Sequence, residues 1–278
     1  MSRQQRAEIA RQTDRIVSEG RYTTRTGVEI DISEAVAAAV RGTVLHLPDQ
    51  IRNGQVPSGA PTRIEVTDES TLTAARRLAE AAPDPVACLN FASARKPGGG
   101  YRSGAQAQEE SLARSSALVA CLHAAPDYYA FHNANRDARY SDRVIYSPGV
   151  PVFRNDMGGL LDRPYRVAFL TAAAPNVTAL TDQRQIAEVP QILHRRAAAV
   201  LAVARRYAHR RLVLGAWGCG VFGNDPTVVA GAFAAQLNPG GPFAGNFTHI
   251  VFAILDEDPA GLRISAFRNT FGQRVNPV

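Results

Sequence analysis

From residue 63 onward the chain repeats one pattern, a short apolar run of strand length followed by a longer run with helical spacing. RIEVT (63–67) precedes TLTAARRLAEAA, VACLNF (86–91) precedes QEESLARSSALVACLHA, and RLVLGAW (211–217) precedes PTVVAGAFAAQL. Between these stand three strand-like runs, RVIYS, VPVFR and YRVAFLT, and a long Arg/Ala-rich helical stretch through about residue 207 that Pro190 should start or kink. THIVFAIL and PAGLRISAFRNTF read as a last strand and a last helix. Strands alternating with helices in this way bury a largely parallel or mixed sheet under helices on both faces, so the expected fold class is α/β.

Ahead of that pattern, residues 1–20 read as a polar helix closed by Gly20, and RYTTRTGVEIDI as a small hairpin turning at Thr-Gly. SEAVAAAVRG has a Ser33 cap and a Gly42 stop, TVLHLP is a short strand, and PDQIRNGQVPSGAP (48–61) is a loop by its Pro, Gly and Asn content. A length of 278 residues suits one large domain. We therefore expect a single domain over 1–278, with 1–60 as an extension packed on it.

Several function classes lose support at once. The N-terminal MSRQQRAEIARQTDRI has no apolar core of a leader, and AAAVLAVA (197–204) is too short to span a bilayer, so a cytoplasmic protein with no membrane partner is expected. Three scattered cysteines without a C-x-x-C suggest neither a disulfide framework nor a zinc knuckle. No histidine set has metal-ligand spacing, and neither a metal nor a cofactor is expected. The net charge is +6 and Lys96 is the only lysine, so nearly all the basic residues are arginines, suited to phosphate and carboxylate contacts or a reflection of genomic base composition.

In a sheet of this kind, ligands bind beyond the carboxyl ends of strands, which singles out the loops after VACLNF and RLVLGAW. The first, ASARKPGGGYRSGAQAQEES, carries Gly98, Gly99 and Gly100 in a row, either a linker or a place where backbone approaches a ligand. The second, GAWGCGVFGND, places Gly218, Gly220 and Gly223 in the G-x-G-x-x-G spacing, with Asn224 or Asp225 as the cap before Pro226. A dinucleotide unit opens its domain and carries an acid about 20 positions further on. Here the match lies late in the chain and the next strand ends at Asp256, 33 positions after Gly223, which weakens an NAD-dependent oxidoreductase.

The reactive groups are suggested by Gln108, Glu109 and Glu110. Two acids in a helix's first turn can simply complement its dipole. Beside a phosphate-binding loop they can instead supply a general acid/base, because a like-charged neighbour and a diphosphate each raise a carboxyl's pKa. Neighbouring side chains on one helical turn diverge, so they are not expected to flank a sugar as a two-carboxylate glycosidase does. One glutamate would then move the proton while the other holds the substrate.

Together these residues resemble the bacterial-type poly(ADP-ribose) glycohydrolases. The family signature is three glycines, six to eight residues, then Gln-Glu-Glu. Here it is GGG at 98–100, the seven residues YRSGAQA, and QEE at 108–110. IEVTDESTLTAARRL, LNFASARKPGGG, YSPGVPVFRND, TAAAPN and LGAWGCGVFGNDP follow the family's other segments over roughly 60–271. The family more often has asparagine where this chain has Lys96.

The resemblance implies a macrodomain-like three-layer α/β/α sandwich with a mixed central sheet and an N-terminal helical and hairpin extension. It implies hydrolysis of ribose–ribose bonds of poly(ADP-ribose), mainly from chain ends, in the DNA damage response. Glu110 would be the general acid/base, Glu109 would position the ribose, and Gly98, Gly99 and Gly100 would wrap it, with Asn90 and Gln108 as further contacts. Gly218, Cys219, Gly220, Val221, Phe222 and Gly223 would hold the diphosphate through backbone N–H groups, with Asn224 beside them. Phe222 would pack on the terminal ribose. By analogy, Thr67 or Asp68 would meet adenine's polar edge and Phe267 or Phe271 its face. Tyr128, Tyr129 and His132 are either substrate contacts or packing. The implied partners are poly(ADP-ribose), ADP-ribosylated proteins and the product ADP-ribose, met by a monomer that does not bind nucleic acid directly. A macrodomain that binds ADP-ribose without cleaving it, or a mono-ADP-ribosyl hydrolase, is the alternative.

Overall fold

A computed structural model describes residues 1–51, 60–256 and 259–272, so most of the loop expected at 48–61 lies outside the described residues. Helix α1 (Arg3–Glu19), strands β1 (Arg21–Thr23) and β2 (Glu29–Asp31), α2 (Ser33–Arg41) and β3 (Val44–His46) come first. There follow β4 (Arg63–Thr67), α3 (Thr71–Ala81), β5 (Val86–Phe91), α4 (Gln108–Ser115), α5 (Leu118–His123) and α6 (Pro126–Ala134). The chain continues through β6 (Val144–Arg154), β7 (Leu160–Ala172), α7 (Gln183–Arg206), β8 (Arg211–Leu214), α8 (Pro226–Leu237), β9 (His249–Ala253) and α9 (Leu262–Phe271).

The main sheet has the order β3-β6-β7-β5-β8-β9-β4. Strand β6 runs antiparallel to both its neighbours, and the rest of the sheet from β7 to β4 is parallel, which makes the sheet mixed as expected. Side-chain alternation along β5 shows how the layers form. Ala87 and Leu89 join the core shared with α7, α8 and α9, whereas Val86 and Cys88 join the core under α2 to α6. The three-layer sandwich follows.

Several boundaries differ from the sequence reading for local reasons. QEESLARSSALVACLHA is two helices, because Ser116 adopts extended backbone and bridges to Val152 of β6. RVIYS and VPVFR are one strand with a bulge between Ser147 and Val150. PDYYAFHNA is a helix started by Pro126. Ser33 does not cap α2; Asp31 Oδ1 instead accepts from the Ser33 N–H at 2.7 Å. Helix α7 begins at Gln183, capped by Asp182, and runs through the exposed Pro190.

Connectivity positions the cleft. Strands β5 and β8 are adjacent and parallel, yet β5 leads to α4 on one face and β8 to α8 on the other. Their outgoing loops part company, and a crevice opens between the two glycine loops at the carboxyl end of the sheet.

Candidate active site

The glutamate pair is built onto the end of β5. Pairing between β5 and β8 ends at Cys88–Val213, so the backbone of residues 89–91 faces no strand on that side. The Gln108 side chain fills the gap, its Nε2 donating to Leu89 O at 2.8 Å and its Oε1 accepting from Phe91 N at 2.9 Å. Its amide also donates to Thr71 Oγ1 at 3.1 Å. The expected substrate contact is therefore spent inside the protein, where Gln108 locks the start of α4 onto the sheet.

Glu109 turns inward and is only 3% exposed. Its Oε2 accepts from Ser93 N at 2.7 Å and its Oε1 from Asn90 Nδ2 at 3.3 Å. Asn90 is fully buried and also donates to Thr171 Oγ1 at 3.3 Å. Burial pushes the Glu109 carboxyl up to about 8, against the hydrogen bond from Ser93 and with help from the neighbouring Glu110 charge. Glu110 is half-buried, and its Oε1 accepts from Gly100 N at 2.9 Å.

Contrary to the expected divergence, both carboxylates reach the same turn. A side chain built on Gly99 would run into Glu110 and lie 3.1 Å from Glu109 Oε2. The glycine N–H groups of this first loop are spent internally, Gly99 N on Lys96 O and Gly100 N on Glu110, so neither is free for a phosphate and the loop instead positions the Glu110 carboxylate.

Burial of Glu109 carries a consequence for stability. In the unfolded chain its carboxyl ionises near 4.5, in the folded chain near 8. Between those values the folded state holds the extra proton, so the Glu109 contribution to stability is full at acid pH and declines as pH rises through 8. Glu109→Gln removes that decline. From pH 5 to pH 9 the unfolding free energy of the variant should gain on wild type by on the order of a few kcal/mol, whatever the constant offset. Parallel stability curves in thermal or urea unfolding would show instead that Glu109 is ionised throughout.

The second loop has the opposite character. Trp217 Nε1 donates to Ala172 O at 3.0 Å and ties its base to β7. Buried Asn224 donates to Pro175 O at 2.7 Å and Gly218 O at 3.0 Å, which fixes the loop internally, and Asp225 is the cap of α8. Cys219 N and Gly223 N are used within the turn, by Ala216 O and Gly220 O. Among the described residues, the N–H groups of Gly218, Gly220, Val221 and Phe222 have no protein partner. Three successive free amides in such a turn form a concavity suited to an anion. The diphosphate contacts expected of Cys219 and Gly223 thus narrow to the other four.

Phe222 is half-buried with its ring 5.9 Å from Tyr140, a residue held at φ 58 in the left-handed region. Such a conformation costs a non-glycine residue about 1–3 kcal/mol and persists only where surroundings enforce it. Here the enforcement includes fully buried Arg196, which donates to Arg139 O at 2.9 Å, to Ala173 O at 2.7 Å and to Asp142 at 3.0 Å. Sequence reading missed Tyr140, Ser93 and Trp217. Only TAAAPN (171–176), which closes β7 and runs on beyond it, hinted that this neighbourhood belongs to the site.

The remaining expectations separate. Thr67 closes β4 at the same end of the sheet and Asp68 beside it is exposed. Phe267 and Phe271 instead lie in the core, both buried and with their rings 5.2 and 4.5 Å from Phe252. Tyr128 and Tyr129 pack edge to face at 5.0 Å in the core. His132 is buried, its Nδ1 donating to Tyr128 O at 2.8 Å and its Nε2 accepting from Ser141 N at 3.2 Å. Burial lowers its pKa to about 4, so it is a neutral structural group. No described helix is long and apolar enough to cross a membrane, and no cluster of metal-ligating side chains occurs among the described residues.

A family model described as "Microbial-type PARG, catalytic domain" matches residues 10–155, PARG being poly(ADP-ribose) glycohydrolase. The chain is similar to the crystal structure of PARG from Thermomonospora curvata, with 58% identity and a TM-score of 0.94 over 96% of this chain and 100% of that one. It is similar to the same enzyme bound to the inhibitor ADP-HPD, at 57% identity and a TM-score of 0.92 over the same shares of 96% and 100%. It also resembles PARG from Deinococcus radiodurans in complex with ADP-ribose, at 44% identity and a TM-score of 0.80 over 86% of this chain and 98% of that one. No curated protein sequence matches significantly.

Proposed function

The chain belongs to the microbial-type poly(ADP-ribose) glycohydrolases, and from that premise we propose that it hydrolyses the ribose–ribose O-glycosidic bond of poly(ADP-ribose) and releases ADP-ribose, mainly from chain ends. The observation that carries this reading is the meeting of Glu109 and Glu110 on the Gly98–Gly100 turn, opposite a loop with free backbone donors.

The two loops divide the substrate between them. The amides of Gly218, Gly220, Val221 and Phe222 take the diphosphate, and Phe222, braced by Tyr140, packs on the terminal ribose and favours an end of the chain. Buried Glu109 carries a proton at neutral pH and can donate a hydrogen bond to a ribose oxygen, which holds the sugar against the turn. Glu110 is aimed by the Gly100 N–H. It gives its proton to the bridging oxygen as the bond from that oxygen to the anomeric carbon breaks, leaving an oxocarbenium-like sugar and a free hydroxyl on the departing chain. It then takes a proton from the water whose oxygen bonds to the anomeric carbon.

Incubation with poly(ADP-ribose) followed by chromatography of the nucleotides tests the proposal. Free ADP-ribose is expected as the main early product, with few short oligomers. Intact polymer alongside calorimetric binding of ADP-ribose would make the protein a reader instead.

A further inference from the structure

The glycine turn is held from its outer side by α1. Arg3 Nε donates to Ser103 O at 2.9 Å and Arg6 Nε to Gly104 O at 2.8 Å. Asp14 accepts from the Tyr101 hydroxyl at 2.6 Å and from Arg102 Nε at 2.9 Å. Ala10 packs with Tyr101, Ala113 and Val119 in a small apolar cluster apart from the two main cores. Gly104, at φ 74, leaves no room for a side chain because the Arg3 carbonyl lies against it. On its inner side the same segment meets Glu110 through Gly100 N. The turn is thus clamped between the acid and the helix.

We propose that α1 is a positioning element of the active site and that Asp14 is its positioning residue, fixing the turn that aims Glu110. The inference rests on the reading of Glu110 as the proton-transfer group. Gly98, Gly99 and Gly104 all have φ between 58 and 74, backbone that glycine leaves free to move. One carboxylate that receives both Tyr101 and Arg102, the first of them 87 positions away in sequence, removes that freedom at consecutive residues. Docking of the helix itself does not depend on Asp14. Thr13 Oγ1 donates to Arg114 O at 2.6 Å and accepts from Arg154 Nε at 3.1 Å, and Ile16 lies in the main core. Loss of the Asp14 carboxylate should therefore loosen the turn and leave α1 seated.

The test compares full-length wild type with Asp14→Ala and Tyr101→Phe. Three readouts are taken: steady-state hydrolysis of polymer, ADP-ribose affinity by calorimetry, and amide hydrogen exchange over 98–104. Asp14→Ala should lower kcat by about ten-fold, with KM and ADP-ribose affinity changed by less than about two-fold, and should speed exchange in that segment. Tyr101→Phe, which removes a single hydroxyl, should shift kcat and exchange the same way by less, and it remains informative where Asp14→Ala fails to fold. Unchanged kcat and exchange overturn the inference, as does a loss shared equally by kcat, KM and affinity. A wild type that binds ADP-ribose but leaves polymer intact overturns the proposed reaction, and the exchange result then decides the positioning role alone.

Discussion

Glu110→Gln should lower kcat for release of ADP-ribose from polymer by about 10³-fold while ADP-ribose affinity stays close to wild type. The substitution keeps size and keeps an oxygen that can accept from Gly100 N, so the turn is undisturbed. What it removes is the proton, needed once at the departing oxygen and again, in reverse, at the attacking water. Loss of one group therefore disables both halves of the reaction. Glu109→Gln should behave differently, because buried Glu109 already stands neutral near pH 7 and an amide preserves its capacity to donate. Single-turnover assays with end-labelled polymer separate the two variants, and equal activity of Glu110→Gln and wild type would move the proton work elsewhere.

Gly99→Ala is expected to be nearly as damaging for a geometric reason. The residue sits at φ 58, where a side chain costs about 1–2 kcal/mol, and the added methyl would displace the Glu110 carboxylate from the Gly100 amide. A fall in kcat/KM of about 10²-fold follows, since misplacement of the acid by roughly 1 Å is enough. Gly149 provides the control. It has φ 52 and nothing within 4 Å of an added methyl, so Gly149→Ala carries comparable backbone strain without the collision. Its stability should drop by a similar amount and its activity should not. Matching activity losses in the two variants would trace the effect to strain alone.

Much of this architecture can be read from the chain. Strand-length apolar runs, helical spacing and the two glycine loops all depend on residues near one another in sequence, and most fall where they are expected, with one helix split in two and two strands joined into one. Strand order does not have that property. That β5 lies beside β8, the juxtaposition that opens the crevice, depends on connections more than 100 residues long, and no local pattern records it. The same limit explains the errors at the site. Gln108 looks like a ligand-facing polar residue until the early end of the β5–β8 pairing is known. Phe267 and Phe271 share a helical spacing of four, equally consistent with a stacking platform and with a core stripe. Phe252, from strand β9, decides for the core.

Because the Gln108 amide stands in for the missing rung of β8, the helix that bears the acid pair is registered to the sheet as well as to the glycine turn. The loop after β8 takes its ties from the end of β7 and from Pro175 instead. The loop after β8 can be altered to admit a different part of the substrate while the proton-transfer group keeps its ties to β5 and the glycine turn. Selectivity in this fold is a property that engineering can revise without rebuilding the chemistry.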